Sequence, residues 1–109
     1  MINSFDQVPR GAGSQPCLVQ QYIHNPMLIN GFKFDLRIYV AITSVNPLRV
    51  YVYEEGICRF ATEKYNTKDL SNVYSHLTNY SINKKNEKVV KQEDSTNVKW
   101  SLRAFKRYF

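Results

Sequence analysis

Phe32-Lys33-Phe34-Asp35-Leu36-Arg37-Ile38-Tyr39-Val40-Ala41-Ile42-Thr43 alternates without a break. Its even positions, Phe32, Phe34, Leu36, Ile38, Val40 and Ile42, are all apolar. Its odd positions are Lys33, Asp35, Arg37, Tyr39, Ala41 and Thr43. Successive side chains of a strand project to opposite faces, so this run predicts a long strand with one buried face.

The neighbouring residues extend that strand into a sheet. Asn30-Gly31 precedes it and is a strong turn signal. Asn46-Pro47 follows it as a second turn, after which Leu48, Val50 and Val52 alternate with Arg49, Tyr51 and Tyr53. The two runs predict an antiparallel hairpin. Glu55-Gly56 reads as another turn, with a short third strand over residues 57–61. Upstream, residues 17–23, Cys-Leu-Val-Gln-Gln-Tyr-Ile, form a β-prone run that Asn25-Pro26 ends. Residues 1–16, with Pro9, Gly11, Gly13 and Pro16, read as a flexible leader, and Arg10-Gly11-Ala12-Gly13-Ser14 lacks the full phosphate-loop pattern.

Beyond Thr62 the pattern changes. Leu70, Val73, Tyr74 and Leu77 have helical spacing, so residues 68–77 read as a helix or an irregular segment; residues 77–83 are too broken for a long element, and residues 84–97 read as a polar loop. Ser101 is placed to cap a helix running to Phe109 with Leu102, Phe105 and Phe109 inward. The expected class is α/β of the α+β kind, an antiparallel sheet with short flanking helices. Three or four strands bury only a modest core, and Arg107-Tyr108-Phe109 falls in mid-helix, so a partial domain is expected over residues 17–109.

The chain has 109 residues, 43% hydrophobic and 22% charged, an ordinary globular balance. No apolar run reaches the roughly 18 residues of a membrane-spanning helix, and no secretory leader pattern opens the chain. Cys17 and Cys58 lie far apart with no His/Cys cluster beside either, which reads as two reduced thiols rather than a disulfide or zinc site. The net charge of +6 and pI near 9.4 favour acidic partners. The residues from 84 onward hold Lys84, Lys85, Lys88, Lys91, Lys99, Arg103, Lys106 and Arg107 against Glu87, Glu93 and Asp94.

Lys33, Asp35 and Arg37 form a row on one strand face, spaced about 7 Å apart. A solvated face with weak ion pairs, worth about 0–1 kcal/mol each, accounts for such a pattern. A polyphosphate site accounts for it too, with Lys and Arg for phosphate oxygens and Asp for a hydroxyl or counter-charge. Arg59 would join the row if its strand is adjacent. His76-Leu77-Thr78-Asn79 offers an imidazole, a hydroxyl and an amide, a set that more commonly caps its own turn. No nucleophile–His–acid set and no metal-ligand cluster has a defensible spacing. A non-catalytic basic module is the competing reading, with Arg49, Tyr51 and Tyr53 meeting acidic tails or the bases and phosphates of nucleic acid. Asp35 in the middle of the row speaks against nucleic acid.

Gln20-Gln21-Tyr22-Ile23, Asn25-Pro26-Met27-Leu28-Ile29 and Gly31-Phe32-Lys33-Phe34-Asp35-Leu36-Arg37-Ile38-Tyr39-Val40 together resemble the core signature of the tubulin–tyrosine ligase-like family. The resemblance continues through Pro47-Leu48-Arg49, Gly56, Arg59-Phe60-Ala61-Thr62 and the stretch from His76 to Lys84, and ends with Lys99-Trp100-Ser101. It implies an ATP-grasp fold and, from Ile38-Tyr39-Val40 and Arg59-Phe60-Ala61-Thr62, the polyglutamylase branch. The implied reaction attaches L-glutamate to glutamate side chains of acidic tubulin tails through an acyl phosphate made with ATP and Mg2+. The implied partners are tubulin and microtubules, with no nucleic acid and no membrane, and the implied place is the cytoplasm and cytoskeleton, including cilia or basal bodies.

The resemblance also implies roles. Gln20, Gln21, Tyr22 and Ile23 would form an adenine-binding strand. Lys33, Asp35, Thr78 and Asn79 would contact ATP. Arg37 would lie near phosphate or acceptor, and Arg59 would hold the glutamate substrate or the reacting acyl phosphate. Tyr80, Ser81 and Lys99 would line the glutamate pocket. The family's phosphate loop and magnesium ligands are expected outside these residues, so the 109-residue chain alone is expected to be inactive.

Overall fold

A computed structural model describes residues 2, 4–11, 13, 15–86 and 98–109. Four antiparallel strands lie in the order β1-β2-β3-β4: β1 (Leu28–Ile29), β2 (Phe32–Val45), β3 (Leu48–Phe60) and β4 (Lys99–Ser101). Among the described residues, three short α-helices accompany them, α1 (Val73–His76), α2 (Tyr80–Asn83) and α3 (Leu102–Tyr108), with a 3-10 turn at Phe5–Gln7. The expected α+β class, with a meandering sheet and short helices, is what the chain forms.

Local chemistry explains the joints. Asn30 and Gly31 have φ of 51° and 83°, the two left-handed positions that a two-residue hairpin turn requires. Ile29 therefore pairs with Phe32 and Leu28 with Lys33. The Ser101 hydroxyl accepts from the Ala104 N–H at 3.0 Å, capping α3 as its position foretold.

The structure departs from the expectations at several points. Glu55-Gly56 does not turn the chain, because β3 runs unbroken from Leu48 to Phe60 and Gly56 lies opposite Ile38. The surplus is absorbed inside the ladder, where the pairs Ile38↔Gly56 and Val40↔Val52 set four residue steps of β3 against two of β2. Gly56 is there for close approach: a Cβ at this position would lie 2.5 Å from the Arg37 carbonyl oxygen. Residues 17–23 form no strand, since β propensity makes no ladder without a neighbouring strand edge. Residues 68–77, expected as a helix or an irregular segment, are irregular apart from the four-residue α1, capped by the Asn72 side chain, which accepts from the Tyr74 N–H. The polar loop expected over 84–97 lies mostly outside the described residues.

The core sits on the even-numbered face at one end of the sheet. Ile29, Cys58 and Phe60 are buried there, with Phe32, Phe34, Trp100 and Phe105 packed against them. Phe60 meets Trp100 at 4.8 Å between ring centroids, and Phe34 meets Phe105 at 5.4 Å. Further out along the hairpin, the buried face that alternation predicts is not buried. Leu36, Ile38, Val40 and Ile42 are exposed, Ile42 to 63%. β4 reaches only Ile57, Cys58 and Arg59, so among the described residues the outer hairpin is a two-stranded ribbon.

Candidate functional site

The face opposite the core carries the charges. Register places Asp35 beside Arg59 and Arg59 beside Lys99, so three strands contribute one row across the sheet. The Arg59 guanidinium forks onto the Asp35 carboxylate, Nε to Oδ1 at 2.8 Å and Nη2 to Oδ2 at 2.5 Å. The Thr78 hydroxyl donates to the same Oδ2 at 2.9 Å from the loop between α1 and α2. Partial burial pushes the Asp35 carboxyl up, but the Arg59 and Thr78 hydrogen bonds and the charges of Arg59 and Lys33 outweigh it, holding Asp35 below the usual carboxylate range. Arg59 is correspondingly held more firmly protonated by its hydrogen bond to Asp35.

Two flanks extend the row. On one, the Lys99 ammonium sits 3.4 Å from the centre of the Tyr80 ring. Ser81, exposed, follows in α2, and the side chain of Asn79 at the start of that helix makes no capping bond. On the other flank, Lys33 Nζ donates to the Tyr22 hydroxyl at 3.2 Å and lies 4.7 Å from the centre of its ring. A cavity of about 590 Å3 opens beside it, lined in part by Gln20, Gln21, Tyr22, Ile23, Lys33 and Leu77. Arg37 lies further out on the same face, over Tyr39 at 5.6 Å.

The structure thus joins Asp35, Arg59 and Thr78 directly, brings Lys99 to Tyr80, and brings Lys33 to the segment containing Tyr22. Arg37 is exposed next to Tyr39, and Ser81 and Asn79 point to no other member of the set through a described hydrogen bond. The self-capping expected of this stretch is not what Thr78 and His76 do, since their side chains bond outside the turn. Thr78 goes to Asp35, and His76, fully buried, bonds to Tyr22 and to the Asp69 carbonyl.

Sequence reasoning gave Asn83 no role, although it fastens the floor of the site. It is fully buried, and its Oδ1 accepts from the Thr62 N–H and hydroxyl at 3.1 and 2.7 Å. Its Nδ2 donates to the carbonyls of Leu77 and Asn79 at 2.7 and 3.0 Å. One amide thereby ties the end of β3 to the segment carrying Thr78 and fills its donor and acceptor capacity. The Tyr65 hydroxyl donates to the His24 carbonyl at 2.8 Å, and burial first, then the Tyr22 hydroxyl, pushes its pKa up to about 12.

Residues 1–109 match the model of the tubulin-tyrosine ligase family. The chain belongs to the tubulin-tyrosine ligase family. Curated relatives agree in sequence. The tubulin monoglutamylase TTLL4 of Mus musculus is 48% identical over 99% of this chain and 9% of its own length. The tubulin polyglutamylase TTLL5 of Homo sapiens is 50% identical over 99% of this chain and 9% of its length. The tubulin polyglutamylase TTLL7 of Mus musculus is 44% identical over 97% of this chain and 11% of its length. The chain spans about a tenth of the length of these relatives.

The cavity at Gln20–Ile23 joins apolar walls, amide side chains and a cation, Lys33, that has no ion-pair partner among the described residues. That chemistry suits a nucleotide. No three His, Cys, Asp or Glu side chains among the described residues gather to hold a metal ion, and Asp35 is already engaged by Arg59.

Proposed function

We propose that these residues form the nucleotide- and amino-acid-binding part of a ligase that adds L-glutamate to glutamate side chains of tubulin, working at microtubules in the cytoplasm. The observation that carries the reading is the row Asp35–Arg59–Lys99, flanked by Thr78, Tyr80 and Lys33, in a chain whose relatives are named tubulin glutamylases.

ATP, when bound, supplies the phosphoryl group that turns an acceptor carboxylate into an acyl phosphate. Lys33 would hold its phosphate oxygens, with Gln20, Gln21, Tyr22 and Ile23 around the base and Thr78 and Asn79 alongside. Asp35 aims and fixes the Arg59 guanidinium. Two of its N–H directions go to Asp35, and the remaining ones are left for a carboxylate of the incoming amino acid or for the charge that develops during transfer. Lys99, steadied on the Tyr80 ring, would bring a second cation to the same anionic substrate. Arg37 would face the acceptor side. Fixed cations suit a reaction that gathers negative charge, because they need not reorganise as it develops.

The test compares two variants of the full-length protein. Arg59→Lys keeps the charge but loses the planar fork. It should lower glutamate transfer to tubulin tens- to hundreds-fold, about 2–4 kcal/mol, while leaving ATP affinity nearly unchanged. Lys33→Ala should weaken ATP binding. Full transfer activity in Arg59→Lys would remove Arg59 from the site.

A further inference from the structure

We infer that His76 is a positioning residue for the nucleotide lysine, acting through Tyr22; the inference rests on the nucleotide reading of Lys33 given above. The segment around Tyr22 has no backbone ladder, so side chains must hold it in place. His76 is fully buried and uses both ring nitrogens. Nε2 lies 2.9 Å from the Asp69 carbonyl oxygen, which only accepts, so Nε2 carries the hydrogen. Nδ1 lies 2.9 Å from the Tyr22 hydroxyl and is left to accept from it. The Tyr22 oxygen then turns its lone pairs outward, where Lys33 Nζ donates at 3.2 Å. The order is Lys33 to Tyr22 to His76 to the backbone at Asp69, a continuous line from a half-buried cation to a backbone carbonyl.

Packing restrains the same line. The Tyr22 and Tyr65 rings both meet His76 edge-on, at 5.7 and 5.2 Å between centroids, and His24 meets Tyr22 at 5.6 Å. A flexible lysine loses rotamer freedom whenever it grips a ligand. Here the Tyr22 hydroxyl and ring face give the amine a resting place beside the cavity, so part of that ordering precedes binding. His76 fixes which way the hydroxyl points and thus whether it accepts from lysine.

Tyr22→Phe retains the ring and removes only the hydroxyl. In the full-length protein it should weaken ATP affinity about five- to tenfold, the loss typical of one hydrogen bond. His76→Asn, whose Oδ1 replaces the Nδ1 acceptor, should retain most of the affinity, and His76→Leu should lose as much as Tyr22→Phe. The deciding readout is coupling: in a Lys33→Ala background, Tyr22→Phe should cause no further loss, whereas a purely structural role would add its loss regardless of Lys33. Thermal unfolding identifies a variant that fails to fold, and Tyr22→Phe still decides the matter if His76→Leu does. If Lys33→Ala binds ATP normally, the nucleotide reading itself fails. If Lys33→Ala loses affinity but Tyr22→Phe does not, or if the two losses add, the nucleotide reading stands and the positioning role is overturned.

Discussion

Asp35 receives three hydrogen bonds while only partly shielded from water, and its acidity follows from that balance. Its carboxyl titrates lower in the folded chain than in the unfolded one. The stabilisation it brings is therefore complete above the ordinary carboxylate pKa and disappears as pH falls through its depressed value. Because the pair is about a third exposed, the contribution is on the order of 1 kcal/mol after screening. Urea unfolding of the wild type and of Asp35→Asn between pH 7 and pH 2 should show two stabilities that converge at the acid end. A constant gap would mean that Asp35 acts without its charge. The cysteines give a second residue-scale expectation. Burial first, then the nearby Asp35 charge, pushes the Cys58 thiol up to about 11, whereas Cys17 is exposed. Iodoacetamide at pH 8 should label Cys17 in the native chain and reach Cys58 only after unfolding, as peptide mass mapping would show.

At the scale of elements, the β2–β3 ladder sets the site, because it alone brings Asp35 and Arg59 face to face. Gly56 keeps the two backbones close at the irregular step of that ladder. Gly56→Ala pushes a methyl against the Arg37 carbonyl and should cost about 1–3 kcal/mol in denaturant unfolding. An unchanged midpoint would show that the strands can separate freely there. Much of this ladder is legible in the sequence: alternation marks β2, Asn30-Gly31 and Asn46-Pro47 mark its ends, and Lys33, Asp35 and Arg37 are seen as one row. Gly56 misleads because a glycine needed for close backbone approach looks the same in sequence as a glycine needed for a turn. Thr78, His76 and Asn83 escape for another reason. Their partners Asp35, Tyr22 and Thr62 lie 43, 54 and 21 residues away, and short-range pattern carries no trace of such pairings.

Over the whole molecule, the chain has an open shape. The radius of gyration is 17.5 Å, against about 13 Å for a compact domain of this length. Val40, Ile42, Val50 and Val52 remain exposed on its outer part. No helix among the described residues is long and apolar enough to cross a membrane. An uncovered apolar ribbon of this kind favours association. The 109-residue chain should accordingly grow in apparent mass with concentration in sedimentation velocity runs. The paired change Val40→Lys with Val52→Glu, across one ladder position, should reduce that growth while keeping far-UV circular dichroism intact. Equal association of both forms would place the contact elsewhere.

The two faces of the sheet also have a consequence for heritable variation. Between residues 32 and 60, core packing near β1 uses even positions and the charged row uses odd ones. Drift at Phe34 or Cys58 should be filtered by protein abundance, and drift at Asp35 or Arg59 by product formed per molecule. A saturation library read out by both abundance and turnover would then separate into two combs offset by one residue, and neighbouring codons would experience different kinds of selection.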